Sequence, residues 1–210
     1  MAKATRRPAA FLNIPYDFEF EDLYLAYVVG LTQLGFDVQA TLGVPSQNRL
    51  ETIISLIEQC EVSIHDLSRI ELSKNIPRFN MPLELGLALY RSHSSEGRHR
   101  VFVFEKKAYR AQKSTSDING LDPRIHRYTV KGVMAGLRNS FVPLNGTTVP
   151  EMLASYRAVK ARVPLLKQNA GSKSLFEASA FNDLKIAALA HFESLRQKRA
   201  KDPFINNISF

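Results

Sequence analysis

"PRFNMPLELGLALY", residues 77–90, follows "EVSIHDL" (61–67), which reads as a strand, and precedes the apolar run "RVFVFE" (100–105). Met81, Leu85, Ala88 and Leu89 stand at helical spacing and Pro82 suits a first helical turn, so residues 81–94 are predicted to form a helix. Both flanking segments are short and carry β-branched or aromatic residues, as strands do. A helix between two such strands is the crossover unit of a parallel sheet.

The same alternation continues towards the N-terminus. "AAFLNIP" (9–15) reads as a strand that Pro15 ends. "FEFEDLYLAYVVGLTQLG" (18–35) reads as a helix with acidic residues in its first turn and Gly35 at its end. "FDVQATL" reads as a second strand. "SQNRLETIISLIEQC" (46–60) reads as a second helix, with Ser46 as N-cap and a Leu50, Ile53, Ile54, Ile57 stripe. Together these segments predict an α/β fold, a three-layer sandwich around a mostly parallel sheet. Ligands of such sheets sit outside the C-terminal strand ends, here after residues 14, 41, 66 and 105. Beyond Glu105 the pattern weakens into a polar loop reaching about residue 127. Helices are expected over "TVKGVMAGLRNSF" and over 148–167. A long C-terminal helical segment should have Phe176, Phe181, Leu184, Ala188 and Phe192 on its apolar side. The chain is divided into an α/β domain, 1–147, and a helical extension, 148–210, with a possible linker at "NAGS", 169–172.

The chain has 210 residues, 45% of them hydrophobic, enough for a packed core. No apolar run is long enough to span a bilayer. The basic N-terminus carries no long apolar stretch and reads as a tail rather than a signal peptide. A single cysteine, Cys60, excludes an internal disulfide, and no Cys/His cluster has zinc spacing. The expected setting is the cytoplasm, with no membrane partner. The net charge of +8 permits a phosphate-bearing ligand or, more weakly, nucleic acid. The densest basic run, "RQKRAK" (196–201), also fits a dipole-compensating helix end.

Two readings of Glu84 compete. Pro82 suits position N1, which puts Glu84 near N3 as a helix cap. Alternatively, this helix opens at the ligand edge of the sheet, and Glu84 faces the crevice. Gly86 and Ala88 are small enough for close helix–strand packing. Asp66 and Ser68, in "IHDLS", fit an Asx or Ser turn, or groups that hold a ribose hydroxyl or orient a base. His65 and Asp66 should point to opposite faces of the sheet, against a catalytic His–Asp pair. Asn13, Tyr16 and Asp17 come from the first loop. Arg69, Arg78 and Arg124 are candidate phosphate contacts. The chain has no GxGxxG after the first strand, no GxxxxGK[ST] and no G-x-S-x-G elbow.

"NIPY" after the first strand, "HDLS" after the third and "FNMPLELGLA" opening the next helix resemble the TIR-like and nucleoside 2-deoxyribosyltransferase-like group. The resemblance covers about residues 9–105 and implies a flavodoxin-like sheet. It implies Glu84 as the catalytic carboxylate, with Asp66 as a second candidate. It sets Asn80 near the sugar and Tyr16 beside the base, with Asn13, Arg78 and Ser68 also contacting substrate. The implied activity is cleavage of an N-glycosidic bond in a nucleotide, foremost NAD, as substrate and without a further cofactor or metal. Such an enzyme would act in bacterial antiphage defence and be triggered by a partner protein or self-assembly. Two other readings stand beside it: a deoxyribosyltransferase with Asp66 or Asp117 as second carboxylate, and a non-catalytic nucleotide-sensing or interaction module.

Overall fold

The computed structural model describes residues 6–44, 48–69, 79–108, 121–141 and 146–200. Five strands, β1 (Ala9–Asn13), β2 (Asp37–Gln39), β3 (Val62–Asp66), β4 (Arg100–Glu105) and β5 (Arg124–Ile125), form one sheet. Every pairing is parallel and the order is β2-β1-β3-β4-β5. That is the flavodoxin-like order, and its switch point lies between β1 and β3. β1 and β3 are buried at all five positions, as expected of strands covered on both faces.

Side chains alternate across the sheet, so each strand feeds two cores. Ala10, Leu12, Val62, Ile64 and Phe104 pack towards α1 (Glu21–Gln33). Ala9, Phe11, Val103 and Leu67 pack towards α2 (Arg49–Gln59) and α3 (Asn80–Ser94). From Leu23 to Gln33 every residue of α1 is buried. A helix apolar on all sides needs cover on all sides. Its outer side is covered by α4 (Val130–Ser140), α5 (Val149–Lys160) and α7 (Ala178–Ala200). Gly30 makes that approach possible: a Cβ there would stand 2.7 Å from Leu137 Cδ1 and 3.1 Å from Met134 Sδ.

The expected strand–helix alternation is present, with four differences. The α2 N-cap is Asn48, whose side chain accepts from the backbone N–H groups of Leu50 and Glu51; Ser46 lies outside the described residues. In the α2 stripe, Ile53 and Ile57 are buried with Leu56, whereas Leu50 and Ile54 are exposed. The helix expected over 148–167 is two helices, because the chain turns after Lys160 and Pro164 sits in the first turn of α6 (Val163–Asn169). β5 lies inside a stretch read as loop. The segment 169–172 is a closed turn, with Gly171 at φ 62° and its N–H bonded to Gln168 O. One core cluster holds residues from both sides of position 147, including Leu12, Tyr24, Met152 and Phe181. Glu21 ties the same regions together, pairing with Lys167 at 2.7 Å and accepting from Leu175 N. Among the described residues, no helix is long and apolar enough to cross a membrane.

Candidate functional site

The helix of Glu84 begins two residues earlier than the position of Pro82 suggests. Asn80 is the first residue of α3 and Glu84 the fifth, so no acidic residue lies in the first turn. A cap at N3 is therefore geometrically absent. Glu84 instead belongs to the buried stripe Met81, Glu84, Leu85, Ala88, the i, i+3, i+4, i+7 face that meets the sheet. Ala88 packs there, but Gly86 faces outward, with nothing within 4 Å of a Cβ built on it.

A carboxylate in an apolar stripe needs partners. Glu84 is 4% exposed, and the side chains of Asn13 and Asn80 lie beside it and favour its charged form. Arg49, the first residue of α2, lies near enough to act on its charge. Burial pushes the Glu84 carboxyl above the usual glutamate range, and Arg49, Asn13 and Asn80 counter it without cancelling it. Asn13 Nδ2 is also 3.0 Å from His65 Nδ1. Burial, and then the charge of His99, push His65 down to about 3, so its imidazole stays neutral. The Arg49 guanidinium stands 5.9 Å from the Tyr16 ring centre, and Tyr16 Oη is 3.2 Å from Thr41 Oγ1. Asn13, Tyr16, Arg49, Asn80 and Glu84 thus converge where β1, α2 and α3 meet, at the β1/β3 switch point. Sequence reasoning passes over Arg49, although it opens a helix at the same edge of the sheet as Glu84.

Asp66 lies on the other face. His65 bonds to Asn13 on the α2/α3 side, and Asp66 points towards α1, where Tyr27 Oη donates to Asp66 Oδ2 at 2.7 Å. Ser68 N donates to Asp66 Oδ1 at 2.9 Å. His126, just after β5, completes the cluster. Tyr128 N donates to His126 Nδ1 at 3.0 Å, so Nδ1 carries the lone pair and Nε2 the hydrogen. His126 Nε2 then faces Ser68 Oγ at 2.8 Å and Asp66 Oδ2 at 3.2 Å. Serine and aspartate meet the same ring nitrogen. A catalytic triad needs them on opposite nitrogens, so this is not a nucleophile-activating array. Asp66, Ser68 and His126 are each 0% exposed. Burial alone would push Asp66 up, but the bonds from His126, Ser68 and Tyr27 outweigh it and hold its carboxyl below the usual range. Glu84 and Asp66, read as a catalytic pair, are therefore separated by the sheet, and Ser68 is turned away from the Glu84 crevice.

The turn that aims His126 is strained. Arg127 and Tyr128 adopt φ of 53° and 57°, the left-handed region that residues with a Cβ visit at a cost. Next to it, a Cβ on Gly132 would run into the backbone carbonyl of His126. Gly132→Ala is expected to lose roughly 1–3 kcal/mol, read as a lowered Tm, because α4 must move off the turn.

Arg69 is held by Asp17 at 3.0 Å and Glu19 at 3.3 Å, and Arg124 by Asp122 at 3.3 Å. Arg78 and Asp117 lie outside the described residues. Among the described residues, no group of three His, Cys, Asp or Glu side chains could hold a metal ion. Fold and site together define a doubly wound α/β protein with a buried glutamate at the sheet's switch point. No family model, curated protein or solved structure matches this chain.

Proposed function

We propose that the protein cleaves the N-glycosidic bond of a nucleotide, with NAD as the favoured substrate and Glu84 as the catalytic carboxylate. What supports the reading is a buried, polar-held glutamate at the β1/β3 switch point, together with the resemblance to the TIR-like group. The C1′–N bond breaks with its electron pair moving onto the nicotinamide nitrogen, which is already cationic and leaves neutral without a general acid. The positive charge on C1′ is stabilised or captured by Glu84. Water then adds to C1′ and releases a proton, giving nicotinamide and ADP-ribose. Asn13 and Asn80 hold the carboxylate in place, and Arg49 offers a charge to a substrate phosphate.

Transfer of a deoxyribosyl group between bases is less well served. The second carboxylate it invites, Asp66, is across the sheet from Glu84. In the bacterial defence setting that the resemblance implies, activity would wait for a partner or for self-assembly.

The test is nicotinamide release from NAD at high protein concentration, products separated by chromatography, beside Glu84→Ala. Release that depends on Glu84 is the expected result. Equal release by the variant would remove Glu84 from the mechanism. The reaction needs Glu84 ionised, and its pKa is raised. The acid limb of kcat/KM should therefore lie above the ordinary glutamate value of about 4.3.

A further inference from the structure

At the opposite, N-terminal edge of the strands is a cleft of about 970 Å³, within the range of small-molecule sites. The lead-in to β1, the end of α1, α5 and the last turns of α7 enclose it. Five cationic side chains line it, Arg6, Arg7, Arg196, Lys198 and Arg199, against two carboxylates, Glu151 and Glu193.

Two of the cations are already used. Arg7 donates to Thr32 O at 2.6 Å and Gly35 O at 3.2 Å, closing the C-terminus of α1, and Arg199 pairs with Glu151. Arg6, Arg196 and Lys198 make no ion pair among the described residues. The Phe192 ring fixes two guanidinium groups close together, Arg7 at 5.5 Å and Arg196 at 5.9 Å from its centre. The two like charges repel; Asp37 and Glu193 offset this at Arg7, and an anion between the guanidinium groups would offset it further. Ser155 lines the cleft with a hydroxyl that is buried and has no hydrogen-bond partner. A buried orphan of that kind costs stability unless something bonds to it. Leu34, Ala154, Leu189 and Leu195 give the cleft apolar patches, beside the polar residues Gln33, Thr147 and His191.

We propose that this cleft binds a nucleoside polyphosphate: the phosphates on Arg6, Arg196 and Lys198, a phosphate oxygen on the Ser155 hydroxyl, and the nucleoside against the apolar walls. Guanidinium groups suit phosphate because they bond it in pairs. This absorbs the basic run at 196–201, whose dipole role needs charge at the end of α7 but not cations gathered around a cleft. The site is separate from Glu84 and does not depend on the activity proposed there.

The test is calorimetric titration of the full chain with ATP, at low and at physiological ionic strength. Saturable one-to-one binding is expected to survive physiological salt, with inorganic tripolyphosphate competing more weakly. Arg196→Ala with Lys198→Ala should weaken ATP at least about tenfold. Both residues are on the exposed side of α7 and alanine favours helix, so the fold is not at risk. Ser155→Ala should weaken ATP while leaving Tm unchanged or raised, since it removes an orphaned hydroxyl. Glu84→Gln should bind ATP at this cleft as the wild type does, which separates the two sites. Undiminished ATP binding by the double variant would overturn the proposal. So would no ATP binding at all, or binding only of an oligonucleotide and only at low salt, the mark of a solvated basic face.

Discussion

Glu84→Gln is expected to abolish N-glycosidic cleavage and, at neutral pH, to raise the melting temperature. The two effects have one cause. Removing a preorganised charge from the position where the transition state develops its own costs on the order of 10²–10³ in rate. A carboxylate that also attacks C1′ costs more. Yet the same charge sits in the apolar stripe of α3, where burial raises its pKa against the pull of Arg49, Asn13 and Asn80. Between the ordinary glutamate pKa and the raised one, the folded chain holds more protons than the unfolded chain. Stability therefore falls as pH rises through that window. The substituted amide carries no charge, so the variant should gain roughly 0.5–2 kcal/mol at neutral pH. The gain should vanish below the ordinary glutamate pKa. Thermal melts of both proteins across the acid range read it directly. A glutamate that only supported the start of a helix behaves in the opposite way, because its loss costs about 0.3–1 kcal/mol. A lower melting temperature at neutral pH, with activity retained, would give Glu84 to the helix and leave the site without its carboxylate.

How much of the fold and site is legible in the sequence depends on the range of the interaction. β1 and the centre of β4 are apolar runs, and α1 is apolar on nearly every side, so local composition dictates them; β3 mixes Val62 and Ile64 with the buried polar residues Ser63, His65 and Asp66 and is marked mainly by its place in the alternation. β5 is two residues long, too short for any period, and exists because its backbone completes the edge beside Phe104 and Glu105. The α2 stripe differs from its sequence reading by one position on the helix: Leu50 and Ile54 are as apolar as Ile53 and Ile57, and only tertiary packing says which pair faces the sheet. Glu84 is legible twice, by its place after β3 and by its place among Met81, Leu85 and Ala88, although the proline points to the wrong first residue. Asp66 is legible as a residue and not as a role. Its partners Tyr27 and His126 lie 39 and 60 positions away, and no spacing rule joins them.

That network carries the second large expectation. Asp66→Ala should destabilise the fold by roughly 3–5 kcal/mol, because it strands a phenol and a backbone N–H in a site without water access and leaves the His126 N–H with Ser68 Oγ alone. In a chain of this size that lowers Tm by about 10 °C or more. The Asp66 carboxyl is held below its ordinary pKa, so its contribution is present above the unfolded value and is lost as pH falls through the folded one. Asp66→Asn should therefore be less stable than wild type at neutral pH, with the difference shrinking as the solution is acidified. Asparagine can still accept from Ser68 N, so its cost should be smaller than that of alanine. The comparison also separates the two roles of a buried aspartate. If Asp66 acts only by pinning Ser68 and His126, and with them the loops that leave β3 and β5, Asp66→Asn retains turnover per folded molecule within about tenfold below its melting point. If it meets the substrate, turnover falls on the order of 10²-fold or more, as for other transition-state contacts. The face of the sheet it occupies, its full burial and the three donors already on its oxygens favour the first outcome.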